Sequence, residues 1–125
     1  MAGEKEETVL VVQAAKAPLP AIVRVAGAMA KPAALALRSG SLVIGAGADA
    51  DIVLTDPTVS RRHVELALAA EGVTVTDLAS RNGTFYLGQR VEKMTLALGS
   101  RLRVGSAEVL VEADPEALAS RGTGP

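Results

Sequence analysis

From Ala21 to Glu112 the chain is a succession of short apolar runs separated by polar or glycine-bearing breaks. In Val73-Thr74-Val75-Thr76 apolar and polar residues strictly alternate, and Ala21-Ile22-Val23-Arg24-Val25 alternates nearly as well. A period of two places successive side chains on opposite faces of a sheet, one buried and one wet. The pattern predicts strands over 21–25, 33–38, 41–44, 51–54, 64–69, 73–77, 84–87, 90–91, 94–98, 101–104 and 107–112, about eleven in all. Between them stand turn signals such as Ser39-Gly40, Ala70-Glu71-Gly72, Asn82-Gly83, Gly99-Ser100 and Gly105-Ser106. Asn-Gly is the strongest of these, because both residues tolerate positive φ. The segment 33–38 is rich in alanine, which favours helix. Pro32 before it and Ser39-Gly40 after it leave too little length for one, so it reads as strand. Turns at this spacing imply an all-β sandwich or barrel.

The flanks have a different texture. Residues 1–20 form an N-terminal tail and linker: Glu4 to Glu7 is a solvated charge run, and Lys16-Ala17-Pro18-Leu19-Pro20 opposes both helix and sheet. Thr8 to Val12 reads as an edge strand or as part of a mobile tail. The domain proper is expected over 21–113. Asp114-Pro115-Glu116 is a helix start, with an N-cap, a proline in the first helical position and an acid in the first turn. Gly122 stops it quickly, so 114–125 is expected to be a short helix and a tail.

Composition narrows the chemistry. Aromatic residues are only 2% of the 125, so the core is built from Val, Leu, Ile and Ala. The net charge is −1 and the pI about 5.8, against the basic excess of a protein that grips nucleic acid by its phosphates. With no cysteine and a single histidine there is neither a disulfide framework nor an expected zinc site, and no cofactor is implied. The acidic N-terminus is the wrong charge for a secretory leader. Arg24, Lys31 and Arg38 interrupt the longest apolar candidate, short of the roughly 20 residues a membrane span needs. These features predict a soluble, cytoplasmic protein without a membrane partner.

Two polar loops concentrate the remaining chemistry. One is Asp56-Pro57-Thr58-Val59-Ser60-Arg61-Arg62-His63, and the other runs Ser80-Arg81-Asn82-Gly83-Thr84. Ser60 and His63 share one short loop with no positioned acid and no strand-to-helix elbow, so they do not form a hydrolase site. Gly45-Ala46-Gly47 is not a nucleotide loop, because neither a Gly-Lys-Ser/Thr sequence nor a helix follows. Arg24, Arg38, Arg101 and Arg103 alternate with apolar neighbours and read as outward strand residues, and Arg62 reads as surface. A short polar loop that gathers a hydroxyl, two guanidinium groups and the single histidine between apolar runs suits recognition of a ligand.

The order Leu42-x-Ile44-Gly45, Asp51-Ile52-x-Leu54-x-Asp56-Pro57-x-Val59-Ser60-Arg61-Arg62-His63 and Asp77-Leu78-x-Ser80-x-Asn82-Gly83-Thr84 resembles the forkhead-associated (FHA) domain, over about residues 20 to 112. The resemblance implies an eleven-stranded β-sandwich of bacterial type that binds phosphothreonine peptides and catalyses nothing. It implies Ser60 as direct phosphate ligand, Asn82 as clamp on the peptide backbone, and Arg61 and Arg81 as variable contacts. Gly45, His63 and Gly83 would shape the loops, with His63 as a brace. Expected partners are a phosphothreonine protein and a Ser/Thr kinase, and the regulatory domain of a transcription activator is one setting. Two positions depart from the pattern. Ala46 stands where the family carries an arginine that grips the phosphothreonine, and Leu87 where an asparagine is common. Ala46 keeps open an alternative, phosphate-independent protein binding or self-association. Thr8, flanked by Glu6 and Glu7, is a candidate phosphorylation site onto which the domain could fold back.

Overall fold

The computed structural model describes residues 19–116. These form twelve strands: β1 (Ala21–Ala26), β2 (Met29–Lys31), β3 (Ala34–Leu37), β4 (Ser41–Gly45), β5 (Ile52–Thr55), β6 (Val64–Ala69), β7 (Gly72–Asp77), β8 (Thr84–Tyr86), β9 (Gln89–Val91), β10 (Lys93–Leu96), β11 (Ser100–Val104) and β12 (Ala107–Ala113). They pair into two six-stranded sheets, β3-β1-β12-β11-β8-β9 and β10-β7-β6-β4-β5-β2. The all-β sandwich expected from the alternation is the fold observed.

Alternation fixes which face is which. Val23, Val109, Val111, Leu102 and Val104 point inward from the first sheet, and Ile44, Ile52, Leu54, Leu66, Val73 and Val75 from the second. All are buried and aliphatic. Arg24, Arg101 and Arg103 lie between these positions and face outward, where Arg24 meets Glu112 at 2.7 Å and Arg101 meets Glu108 at 3.3 Å. The two aromatic residues, Phe85 and Tyr86, are only half-buried on the short β8. Among the described residues no helix is long and apolar enough to cross a membrane.

The sequence pattern missed β2. It has three residues, is mostly exposed, and is hemmed in by Gly27 and Pro32. Periodicity needs more residues than that to register. Its existence depends on a distant partner, since Met29, Ala30 and Lys31 pair with Thr55, Leu54 and Val53. The strand expected over 84–87 also ends early. Leu87 and Gly88 have φ of 52° and 79° and form the two-residue turn joining β8 to β9. Two positive φ values give a turn whose twist matches the flanking strands. Asp114 accepts the Glu116 N–H at 3.0 Å, as an N-cap does. Residues 117–125, like Thr8 and the rest of 1–18, lie outside the described residues.

Leu87 is therefore a leucine in the left-handed region and is 79% exposed, so little packing offsets its strain. Such a residue costs about 1–2 kcal/mol, and asparagine relieves part of that. Leu87→Asn should raise the melting temperature by about 4–8 °C per kcal/mol recovered, read by thermal unfolding followed by circular dichroism.

Candidate functional site

Four connections meet at one end of the sandwich. The β4–β5 loop runs against the β5–β6 loop as a continuation of the β4–β6 ladder. His63 N–H donates to the Ile44 carbonyl at 3.0 Å, Ala46 N–H to Ser60 at 2.9 Å and Gly47 N–H to Arg61 at 3.0 Å. This approach requires Gly45, because a Cβ there would overlap the Arg61 carbonyl. The β4–β5 loop is closed behind by Asp51, whose carboxylate accepts the Val43 N–H at 2.8 Å while its own N–H donates to the Val43 carbonyl.

A buried carboxylate organises the β5–β6 loop. Asp56 Oδ1 accepts the Thr58 N–H at 2.9 Å and hydroxyl at 2.7 Å, and Oδ2 accepts the Ser106 N–H at 2.9 Å and hydroxyl at 2.6 Å. Asp56 thus ties its own loop to the β11–β12 turn. At Gly105 in that turn, with φ of 61°, a Cβ would stand only 2.7 Å from both Thr58 Oγ1 and Val59 Cγ2. The Ser106 and Thr58 donors hold the Asp56 carboxyl well below the usual carboxylate range, against a smaller opposing effect of burial.

The β7–β8 loop repeats the device. Burial pushes the Asp77 carboxyl up, but donors from Ser80 and Thr84 outweigh it and leave the group below its ordinary value. Ser80 and Thr84 donate their hydroxyls to Asp77 Oδ1 at 2.6 and 2.7 Å, and the Ser80 N–H reaches Oδ2 at 3.0 Å. Ser80 Oγ in turn accepts the Gly83 N–H at 2.9 Å. Ser80 is buried and faces its own loop, so it is not part of a ligand surface.

His63 joins the two loops. It is 0% exposed. Nδ1 accepts the Ser60 N–H at 3.1 Å, and Nε2 lies 2.9 Å from the Gly83 carbonyl. The neutral ring with its proton on Nε2 satisfies both contacts. Two further bonds cross the gap: Arg81 N–H donates to Ser60 Oγ at 3.0 Å, and Asn82 Nδ2 donates to the Thr58 carbonyl at 2.8 Å. Gly83, with φ of 89°, turns the chain beside the Arg90 side chain.

Above these bonds lies a cleft of about 380 Å³ lined by Pro57, Thr58, Val59, Ser60, Arg61, Arg62, Arg81 and Asn82. The four residues expected at a phosphopeptide site, Ser60, Arg61, Arg81 and Asn82, all line it. Arg62, read from sequence as plain surface, lines it too, and an arginine next to a ligand candidate was the only available signal. Ala46 is half-buried, packs on the hydrophobic core and is not among the lining residues. Arg61 Cβ stands 3.2 Å from where a Gly47 Cβ would be, so its side chain departs beside the β4–β5 loop. Among the described residues no group of acids and histidine is arranged to hold a metal.

The family model described as "Inner membrane component of T3SS, cytoplasmic domain" matches residues 25–114. The chain is 41% identical over 75 residues to the FHA domain-containing protein FhaA of Mycobacterium tuberculosis, a segment that is 60% of this chain and 14% of FhaA. Two solved structures superpose on it at 33% identity. The FHA domain of FhaA, complexed with the intracellular domain of Rv3910, gives a TM-score of 0.64 and aligns over 74% of this chain and 99% of its own. A structure from the structural and functional analysis of phosphothreonine-dependent FHA domain interactions gives 0.67, over 77% and 98%.

Two outcomes check this geometry. His63→Ala leaves the Ser60 N–H and the Gly83 carbonyl buried without partners and should cost about 3 kcal/mol or more in urea unfolding. Because the Asp56 and Asp77 carboxyls are depressed in the fold, the stability they add is complete above about pH 4 and is lost as the pH falls further. Asp56→Asn should lower the melting temperature at pH 7 and flatten its decline below about pH 4.

Proposed function

The chain belongs to the forkhead-associated domains, as the 33%-identical structures that it covers almost entirely show, and we propose that its cleft binds phosphothreonine peptides in Ser/Thr-kinase signalling and catalyses no reaction. The observation that carries this is that Ser60 lines one cleft with three exposed arginines, none of them within 4 Å of a carboxylate among the described residues. Phosphothreonine brings close to two negative charges at neutral pH and three strong acceptor oxygens. Ser60 Oγ accepts from Arg81 N–H, so its own proton is left for an anion. Arg61 and Arg81 supply charge-assisted donors, each worth roughly 1.5–3 kcal/mol before ordering costs. Asn82 uses one amide proton on the Thr58 carbonyl, and its second proton and its oxygen remain for a peptide backbone.

On the sequence resemblance alone, the regulatory domain of a transcription activator is one setting for this module and a stand-alone kinase substrate is another. Ala46 favours a second reading, phosphate-independent docking, because it packs on the core and brings no cation to the cleft. The arginines of the other two walls favour the first.

Titration of a degenerate phosphothreonine peptide library against its unphosphorylated counterpart separates the readings, and equal binding to both overturns phosphothreonine recognition. Ser60→Ala should weaken phosphopeptide binding about tenfold or more. Asn82→Ala should weaken it too, and Ala46→Arg should strengthen it. Affinity should fall as the pH drops below about 6, where the phosphate loses its second charge.

A further inference from the structure

The cleft holds more positive charge than one phosphothreonine neutralises. Arg61 and Arg62 enter it from the β5–β6 loop and Arg81 from the β7–β8 loop. Among the described arginines outside the cleft, Arg24 pairs with Glu112, Arg101 with Glu108, and Arg38 with Asp114 and Glu116, whereas Arg90 and Arg103 meet no described carboxylate within 4 Å. The chain as a whole has 14 acids against 13 basic residues, so acids are not scarce. The two carboxylates nearest in sequence to the cleft residues, Asp56 and Asp77, have their oxygens occupied by Thr58 and Ser106 and by Ser80 and Thr84. The exposed Asp49 lies on the β4–β5 loop beside Arg61, yet among the described residues no carboxylate comes within 4 Å of the Arg61, Arg62 or Arg81 guanidinium group.

Position separates their tasks. Arg81 N–H fixes Ser60 Oγ, and Arg61 follows Ser60 in the chain, so these residues mark the phosphate position. Arg62 is the next residue along the same loop and lines the same cleft, with its exposed side chain beyond the Ser60–Arg61 pair in sequence. We infer that the peptide carries a second anionic group, carboxylate or phosphate, within one or two residues of its phosphothreonine, and that Arg62 is the partner of that group. This rests on the phosphothreonine reading and names the ligand class within it.

The test uses the full chain and a set of otherwise identical peptides. Each carries one phosphothreonine, and the neighbouring positions hold alanine, lysine, glutamate or a second phosphothreonine; unphosphorylated versions of all four are measured beside them. The glutamate peptide should bind about fivefold more tightly than the alanine one, the value of one half-exposed charge pair, and the lysine peptide more weakly. Raising the salt concentration should shrink that spread. In Arg62→Ala, where an exposed side chain is removed without disturbing the core, the alanine and glutamate peptides should bind within about twofold of each other. A gain from the second phosphothreonine without one from glutamate would identify the anion as phosphate, and equal gains would show that charge alone is read. Phosphothreonine peptides that all bind alike while exceeding their unphosphorylated forms would overturn the second-anion inference and leave the reader function standing. Equal binding with and without the first phosphate would overturn the reader function itself.

Discussion

The binding end of this sandwich is held by the His63 ring. One nitrogen accepts from Ser60 and the other donates to Gly83, at a place with no solvent exposure. Water cannot replace either contact there, so each loop is held in register with the other by a group that has no alternative partner. The position of Ser60 Oγ follows from this, and with it that of Arg81, whose N–H is bonded to that oxygen. The histidine, expected from the sequence resemblance to brace the loop, has both nitrogens committed to backbone and none facing the cleft.

Asp56 and Asp77 do inside each loop what His63 does between them. Each takes three or four hydrogen bonds from serine and threonine donors, which holds it ionised and its loop rigid. The acids are thus turned inward and the arginines left outward. A loop of ordinary mixed composition thereby becomes a cationic surface without a basic excess in the chain. Sign and placement of charge, rather than its total, make the cleft.

Most of this architecture was legible in the sequence, because strands with one buried face write a period of two and are bounded by turn residues. Val73 to Thr76 and Ala21 to Val25 are read that way without ambiguity. The β2 strand was not, since three residues between Gly27 and Pro32 carry no period and pair only because β5 lies beside them. The left-handed Leu87 was hidden for a related reason: the turn type is set by the twist of the flanking strands, which overrides a leucine's preference. At the site, residue types and order pointed to Ser60, Arg61, Arg81 and Asn82. What no residue type revealed is that Ser106, on a turn fifty positions later, completes the Asp56 network, or that Arg62 shares the cleft. Both depend on which loops meet in space.

Ala46 shows how these parts divide the work. A third charged wall would have enclosed an anion. Here the β4–β5 loop contributes no cation; it is pressed against the β5–β6 loop through Gly45 and Gly47, with the exposed Asp49 beside Gly47. On the proposed reading, the fixed elements, Ser60 and the Asn82 amide, would set where a ligand sits, because they are ordered before it arrives and would lose little freedom on binding. The cations are long, exposed side chains that must be ordered, and their attraction is weakened by salt. Their net return per contact is therefore modest, and it grows with the number of anionic groups presented together. On the proposed reading, a site built on two walls instead of three would discriminate through the charge surrounding the phosphothreonine, because it would grip the phosphate itself less completely.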